Sequence, residues 1–80
     1  DMAKAMYVFA NRSDAELAEK IVRVRVGDNP FYNPITVEPS EVVGGYQWIL
    51  KVPNLPQDML LDIGFDIVSA HMSGSEGGSQ

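Results

Sequence analysis

Three aspartates recur every four residues near the end of the chain: Asp58, Asp62 and Asp66. Paired carboxylates can do general acid–base work or hold a hard cation, so their separation decides what they can be. On a helix the three form one acidic stripe. On a strand Asp62 and Asp66 share a face about 13 Å apart. That exceeds the roughly 5 to 9.5 Å of glycosidase carboxylate pairs. It also exceeds what one cation can bridge with oxygen ligands at about 2.3–2.6 Å. On the strand expected below, a solvated face is the plainer explanation.

Other chemistry lacks parts. There is no cysteine and a single histidine, His71, which falls in the Gly/Ser-rich segment "SAHMSGSEGGSQ". A zinc site therefore has too few ligands. Ser13 is explained as a helix cap and Ser40 lies in a turn after Pro39, so neither has a base nearby in sequence. Gly44-Gly45 lacks the glycine spacing and the Lys-Ser/Thr of a phosphate loop. No catalytic residue, cofactor or metal is expected.

What remains is recognition. The stretch "VGDNPFYNPITVEP" holds Phe31 and Tyr32 between Asn29-Pro30 and Asn33-Pro34. Proline fixes its own φ and pushes the preceding residue towards extended backbone, so the loop is stiff. A stiff loop loses little entropy on binding. Phe31 is expected to help close the core. Tyr32, whose hydroxyl tolerates water, is the exposed candidate.

The elements that position these residues follow from hydrophobic period and turn chemistry. Ala5 to Asn11 begins with an apolar run rich in aromatic and β-branched residues and reads as a strand. Ser13 with Glu16 fits a capping box, and early acids with late arginines complement a helix dipole. Glu16–Lys20 and Glu19–Arg23 are favourable i,i+4 pairs. Gly27 suits the helix stop, with Pro30 beyond it. A helix over 14–26 is expected, with Leu17, Ala18, Ile21, Val22 and Val24 or Arg25 on one face and Leu17, Ile21 and Val24 buried against the sheet. The alternating "VRVRV" competes as a strand.

Further on, Ile35–Glu38 reads as a strand ended by Pro39. Gly44-Gly45 suits a hairpin turn. Tyr46, Trp48, Leu50 and Val52 then line the buried face of a strand. Pro53 and Pro56 bracket a turn, with one helical turn at 56–59. "LLDIGFDIV" alternates, with Leu61, Ile63, Phe65 and Ile67 on one side, and predicts a strand over 60–68. The expected fold is α+β with two layers: a mostly antiparallel sheet of three to four strands and one amphipathic helix, in the order β-α-β-β-β. The uncovered sheet face would carry Tyr7, Phe9, Ile49, Asp62 and Asp66. Exposed aromatics there would make an association surface.

Composition sets the frame. Eighty residues, 45% of them apolar, give one small globular domain over 1–68. Residues 69–80 read as a flexible tail, and His71-Met72 is the pair a common cloning site encodes, so part of it reads as vector-derived. With no cysteine for disulfides, a domain this small gains from a partner chain. Net charge is −5. The only tight basic pair is Arg23 and Arg25, which disfavours nucleic acid. No apolar run approaches the roughly 18 residues of a membrane span, so a cytoplasmic protein without membrane contact is expected.

The function expected from these residues is a non-catalytic protein–protein interaction module, such as a regulator, inhibitor or accessory subunit, that also self-associates as a homo-oligomer. Its candidate interaction residues are Tyr32, Phe31, Tyr7 and Phe9. The alternative is a small-molecule-binding or catalytic subunit whose site is completed by another chain, using Tyr32, Asp62 or Asp66.

Overall fold

The computed structural model describes residues 5–42 and 45–78, with side chains except at 42, 46 and 73–78. Strand β1 (Ala5–Phe9) leads into helix α1 (Arg12–Val26). A 3-10 turn (Pro30–Tyr32) connects to β2 (Thr36–Val42), then β3 (Gly45–Val52) and helix α2 (Gln57–Gly78). The three strands form one antiparallel sheet in the order β1-β3-β2. Because both outer strands run antiparallel to β3, they are parallel to each other, and α1 makes the crossover between them.

Helix α1 ends as the residue chemistry dictates. Gly27 takes φ 63° and its N–H donates to the Arg23 carbonyl at 2.8 Å. Glycine has no Cβ to oppose that conformation. "VRVRV" is therefore helix, not strand. The helix starts earlier than expected, however. Asn11 is the cap: its Oδ1 accepts from the Asp14 N–H at 3.0 Å and from Ser13 Oγ at 2.9 Å. Ser13 lies inside the helix, so it is not the cap of a capping box. Glu16 pairs with Arg12 at 3.0 Å, four residues before it. Glu19 and Arg23 pair at 2.8 Å as their spacing requires.

The buried stripe of α1 is Ala15, Ala18, Val22 and Val26. Ala18 and Val22 of the expected face are in it, whereas the residues expected to carry most of the burial are not. Val24 is 85% exposed, Leu17 is exposed and only Ile21 packs partly inward. The two alanines carry little apolar weight in a sequence, yet their small side chains let the helix lie close to the sheet.

In the sheet, period 2 holds. Leu50 and Val52 are fully buried, and Trp48 follows them in phase, half-buried, with the Arg12 guanidinium 5.4 Å above its ring. Tyr7 pairs with Leu50 and Phe9 with Trp48, so both aromatics face the helices. This corrects their expected place on the uncovered face. That face carries Met6 and Val8 instead, both exposed, beside Ile49, Lys51, Thr36 and Glu38. Pro39 does not end its strand either, since β2 passes through it to Val42. An edge strand can hold a proline because one side needs no N–H donor. Strands β2 and β3 pair out to Val42 and Gly45. Gly44 of the expected Gly44-Gly45 turn lies outside the described residues.

The largest departure is α2. Residues 60–68 are helical, and the fold gains a second helix in place of a fourth strand. The helix begins after Pro56, whose carbonyl accepts from the Leu60 N–H at 2.8 Å, and it carries Asp58 in its first turn. It continues through Gly78, so His71 belongs to α2. Ile63 and Ile67 enter the core beside Val22, Leu50 and Val52, with Met59 and Leu60 packed partly against it. Both helices thus cover one face of the sheet and leave the other open.

Candidate interaction surface on the second helix

Helix α2 is apolar on two sides. Its inner side is Ile63 and Ile67. Its outer side exposes Leu61 at 66%, Phe65 at 72%, Val68 at 56% and Met72 at 59%. At about 100° per residue these four fall within an arc of about 60°, extending about 16 Å along the axis. Large contiguous apolar patches on a small folded protein mark places where something binds.

The rim of this stripe is set by Arg25 of α1. Its guanidinium donates to Asp62 at 2.8 Å and also to Asp66. The hydrogen bond to Asp62, then that to Asp66, raises the Arg25 pKa above its ordinary value. On the helix the two aspartates are one turn apart, so the strand-based separation does not apply to them. They form the acidic stripe that a helix implies, and one arginine fastens it to α1. Arg23 is likewise engaged, by Glu19.

The open sheet face is dressed differently. Lys51 Nζ donates to Glu38 at 3.2 Å, and Thr36 Oγ1 donates to the same carboxylate at 3.0 Å. Met6, Val8 and Ile49 therefore stand beside a polar network. The outer face of α2 has nothing comparable among the described side chains from 61 to 72 except the aspartates held by Arg25.

The loop aromatics exchange their expected places. Asn29 and Asn33 are extended, as their prolines require, at φ −60°, ψ 118° and φ −125°, ψ 153°. The short 3-10 turn between them points Phe31 outward, 49% exposed, while Tyr32 packs against the core. The rings meet edge to face at 5.1 Å. The Phe31 carbonyl accepts from Asn54 Nδ2 at 2.8 Å, and Asn33 Nδ2 donates to the Asn29 carbonyl at 2.7 Å, so the loop is tied to the next turn and to itself. Tyr7 is tied inward as well. Its hydroxyl donates to the Leu60 carbonyl at 2.7 Å, and burial pushes the phenol pKa up to about 12. Of the four expected interaction residues, only Phe31 is presented to solvent. Phe9 meets the stripe of α2 at Val68, with which it lines one cavity.

A cavity of about 230 Å³ opens where α1 begins and β1 ends. Val8, Phe9, Ala10, Leu17, Ile67 and Val68 form its apolar wall, and Asp14 and His71 are its polar members. His71 Nδ1 lies 3.5 Å from Asp14 Oδ1. His71 thus has a defined neighbour, which its position in a Gly/Ser-rich segment concealed. Among the described residues no three His, Asp or Glu side chains stand together as metal ligands, and no helix is long and apolar enough to cross a membrane.

No family model, characterised protein or solved structure matches the chain. The functional argument therefore rests on this geometry.

Proposed function

We propose that the chain is a non-catalytic protein–protein interaction module that self-associates, and that it binds through the outer face of α2. The observation that carries this is the exposed stripe of Leu61, Phe65, Val68 and Met72. Among the described residues, none of these four side chains belongs to the core cluster or packs against it, because the opposite side of the same helix already fills the core. An amphipathic helix that lays an apolar face into a partner uses anchors at this kind of spacing. The absence of cysteine fits a reducing compartment such as the cytoplasm.

Sedimentation velocity over a range of protein concentrations tests the proposal. The unmodified chain is expected to gain mass with concentration, and Leu61→Ser/Phe65→Ser is expected to remain a monomer with an unchanged circular dichroism spectrum. A chain that stays monomeric at millimolar concentration overturns it.

The cavity beside Asp14 and His71 favours a second function, the binding of a small molecule at a site close to the association face. Pockets that hold ligands are mostly apolar with a few placed polar groups, and this one has that composition. Among the described residues its lining contains an imidazole beside a carboxylate. Thermal-shift measurements against small aromatic amines, carboxylates and alcohols test it. A rise in melting temperature that Leu17→Trp abolishes supports it, and no rise with any class removes it.

A further inference from the structure

We propose that the partner of the outer α2 face is the same face of a second copy, paired antiparallel about a two-fold axis. This rests on the reading of that face as an association surface and adds what covers it.

The spacing is the first ground. Leu61, Phe65, Val68 and Met72 follow in steps of four, three and four. Those are the steps between core positions of a helix–helix seam. The sequence of steps is also the same in both directions. Turned end for end, the stripe places Leu61 against Met72 of the other copy and Phe65 against its Val68. A surface that is its own complement is what a two-fold, isologous interface requires.

Charge selects the direction. Extended by one position towards its start, the seam meets Asp58, which is exposed. In a parallel pair the two Asp58 carboxylates would face each other within the seam, and like charges so placed repel. In the antiparallel pair each Asp58 lies beyond Met72 of the other copy. The flanks then bring Asp62 towards Ser69 and Gly64 towards His71, with no like pair between positions 61 and 72.

Arg25 lowers the remaining obstacle. Each copy carries net charge −5, which opposes association. Asp62 and Asp66, on one flank of the stripe, share Arg25 of their own chain, which cancels one of their two negative charges.

The chain has no cysteine, so single cysteines report the pairing directly. Leu61 and Met72 are exposed, and L61C and M72C should fold normally. A disulfide needs Cα atoms about 4.4–6.8 Å apart. In the antiparallel pair two copies of residue 61 are separated by about 16 Å along the axis, whereas 61 and 72 lie opposite each other. Mild oxidation of L61C alone and of M72C alone is expected to give at most a trace of disulfide dimer. An equimolar mixture of the two is expected to give at least tenfold more, as the mixed species. Disulfide from L61C alone, without enrichment in the mixture, overturns the orientation. A chain that sediments as a dimer yet forms no disulfide in any sample overturns the pairing of α2 while leaving self-association standing. A chain that sediments as a monomer removes both proposals.

Discussion

The inner and outer sides of α2 are built from the same kinds of residue and have opposite surroundings. Ile63 is fully buried and Ile67 nearly so, whereas Phe65 is mostly exposed although it lies between them in sequence. The inner side is needed for one chain to fold. The outer side lies outside the core cluster, and under the proposed function it serves association. Residue type alone does not separate the two roles; the phase of each residue on the helix does.

The sharpest way to break this comparison is at Ile63. Ile63→Ala is expected to cost about 2–5 kcal/mol of folding stability, through lost burial and the cavity left behind. Chemical denaturation of the dilute, monomeric chain measures it. A loss below about 1 kcal/mol would mean that the inner side is not the core side.

Tyr7 tests the docking of α2 on β1. Its phenol is raised to about 12 in the fold, against about 10 for an unfolded tyrosine. A raised pKa stabilises the fold fully below pH 10, and this contribution is lost as pH rises from 10 to 12. Tyr7→Phe is expected to remove that part of the alkaline loss and to cost about 0.5–1.5 kcal/mol at neutral pH, with the hydrogen bond to Leu60. Urea titrations at pH 7 and at pH 9.5–12 compare the two proteins.

Gly64 lies between the two sides. A Cβ built there meets Tyr7 Cε1 at 3.5 Å, an ordinary contact. Gly64→Ala is therefore expected to stabilise the chain by about 0.5–1 kcal/mol, the usual gain of alanine over glycine within a helix. Thermal melting of the dilute chain reads it, and destabilisation would place α2 closer to β1 than described.

Arg25→Ala should cost the monomer little, because solvent screens exposed ion pairs and their net contribution to stability is small. It should weaken self-association more, by leaving two carboxylates beside the stripe, and added salt should partly restore it. Sedimentation at low and high ionic strength checks this.

Much of the fold could be read from the residues. The presence of the three strands, the body of α1, its stop at Gly27 and the extended Asn29 and Asn33 all follow from local chemistry that acts within a few residues. Misreadings came where a longer-range fact decides. Pro39 ends a strand unless that strand is an edge, and edge status is set by sheet order. Tyr7 and Phe9 alternate correctly, but which phase faces the helices depends on where the helices lie. In "LLDIGFDIV" both periods fit. Leu61, Ile63, Phe65 and Ile67 make a convincing strand face only because a helix with two apolar sides supplies residues from both. The discriminating signals were the four-residue recurrence of Asp62 and Asp66 and the four-three-four steps from Leu61 to Met72. Tyr32 and Phe31 exchanged places because backbone stiffness fixes a loop without saying which ring points inward.

The most direct measurement is the melting temperature as a function of protein concentration, for the unmodified chain and for Leu61→Ser/Phe65→Ser. Association of folded chains raises the melting temperature with concentration. The unmodified chain is expected to show that rise. The variant is expected to show none, and to melt with the dilute unmodified chain, within about 0.5 kcal/mol. A melting temperature independent of concentration in the unmodified chain, or a variant already unfolded when dilute, would contradict the assignment of the outer face of α2 to association.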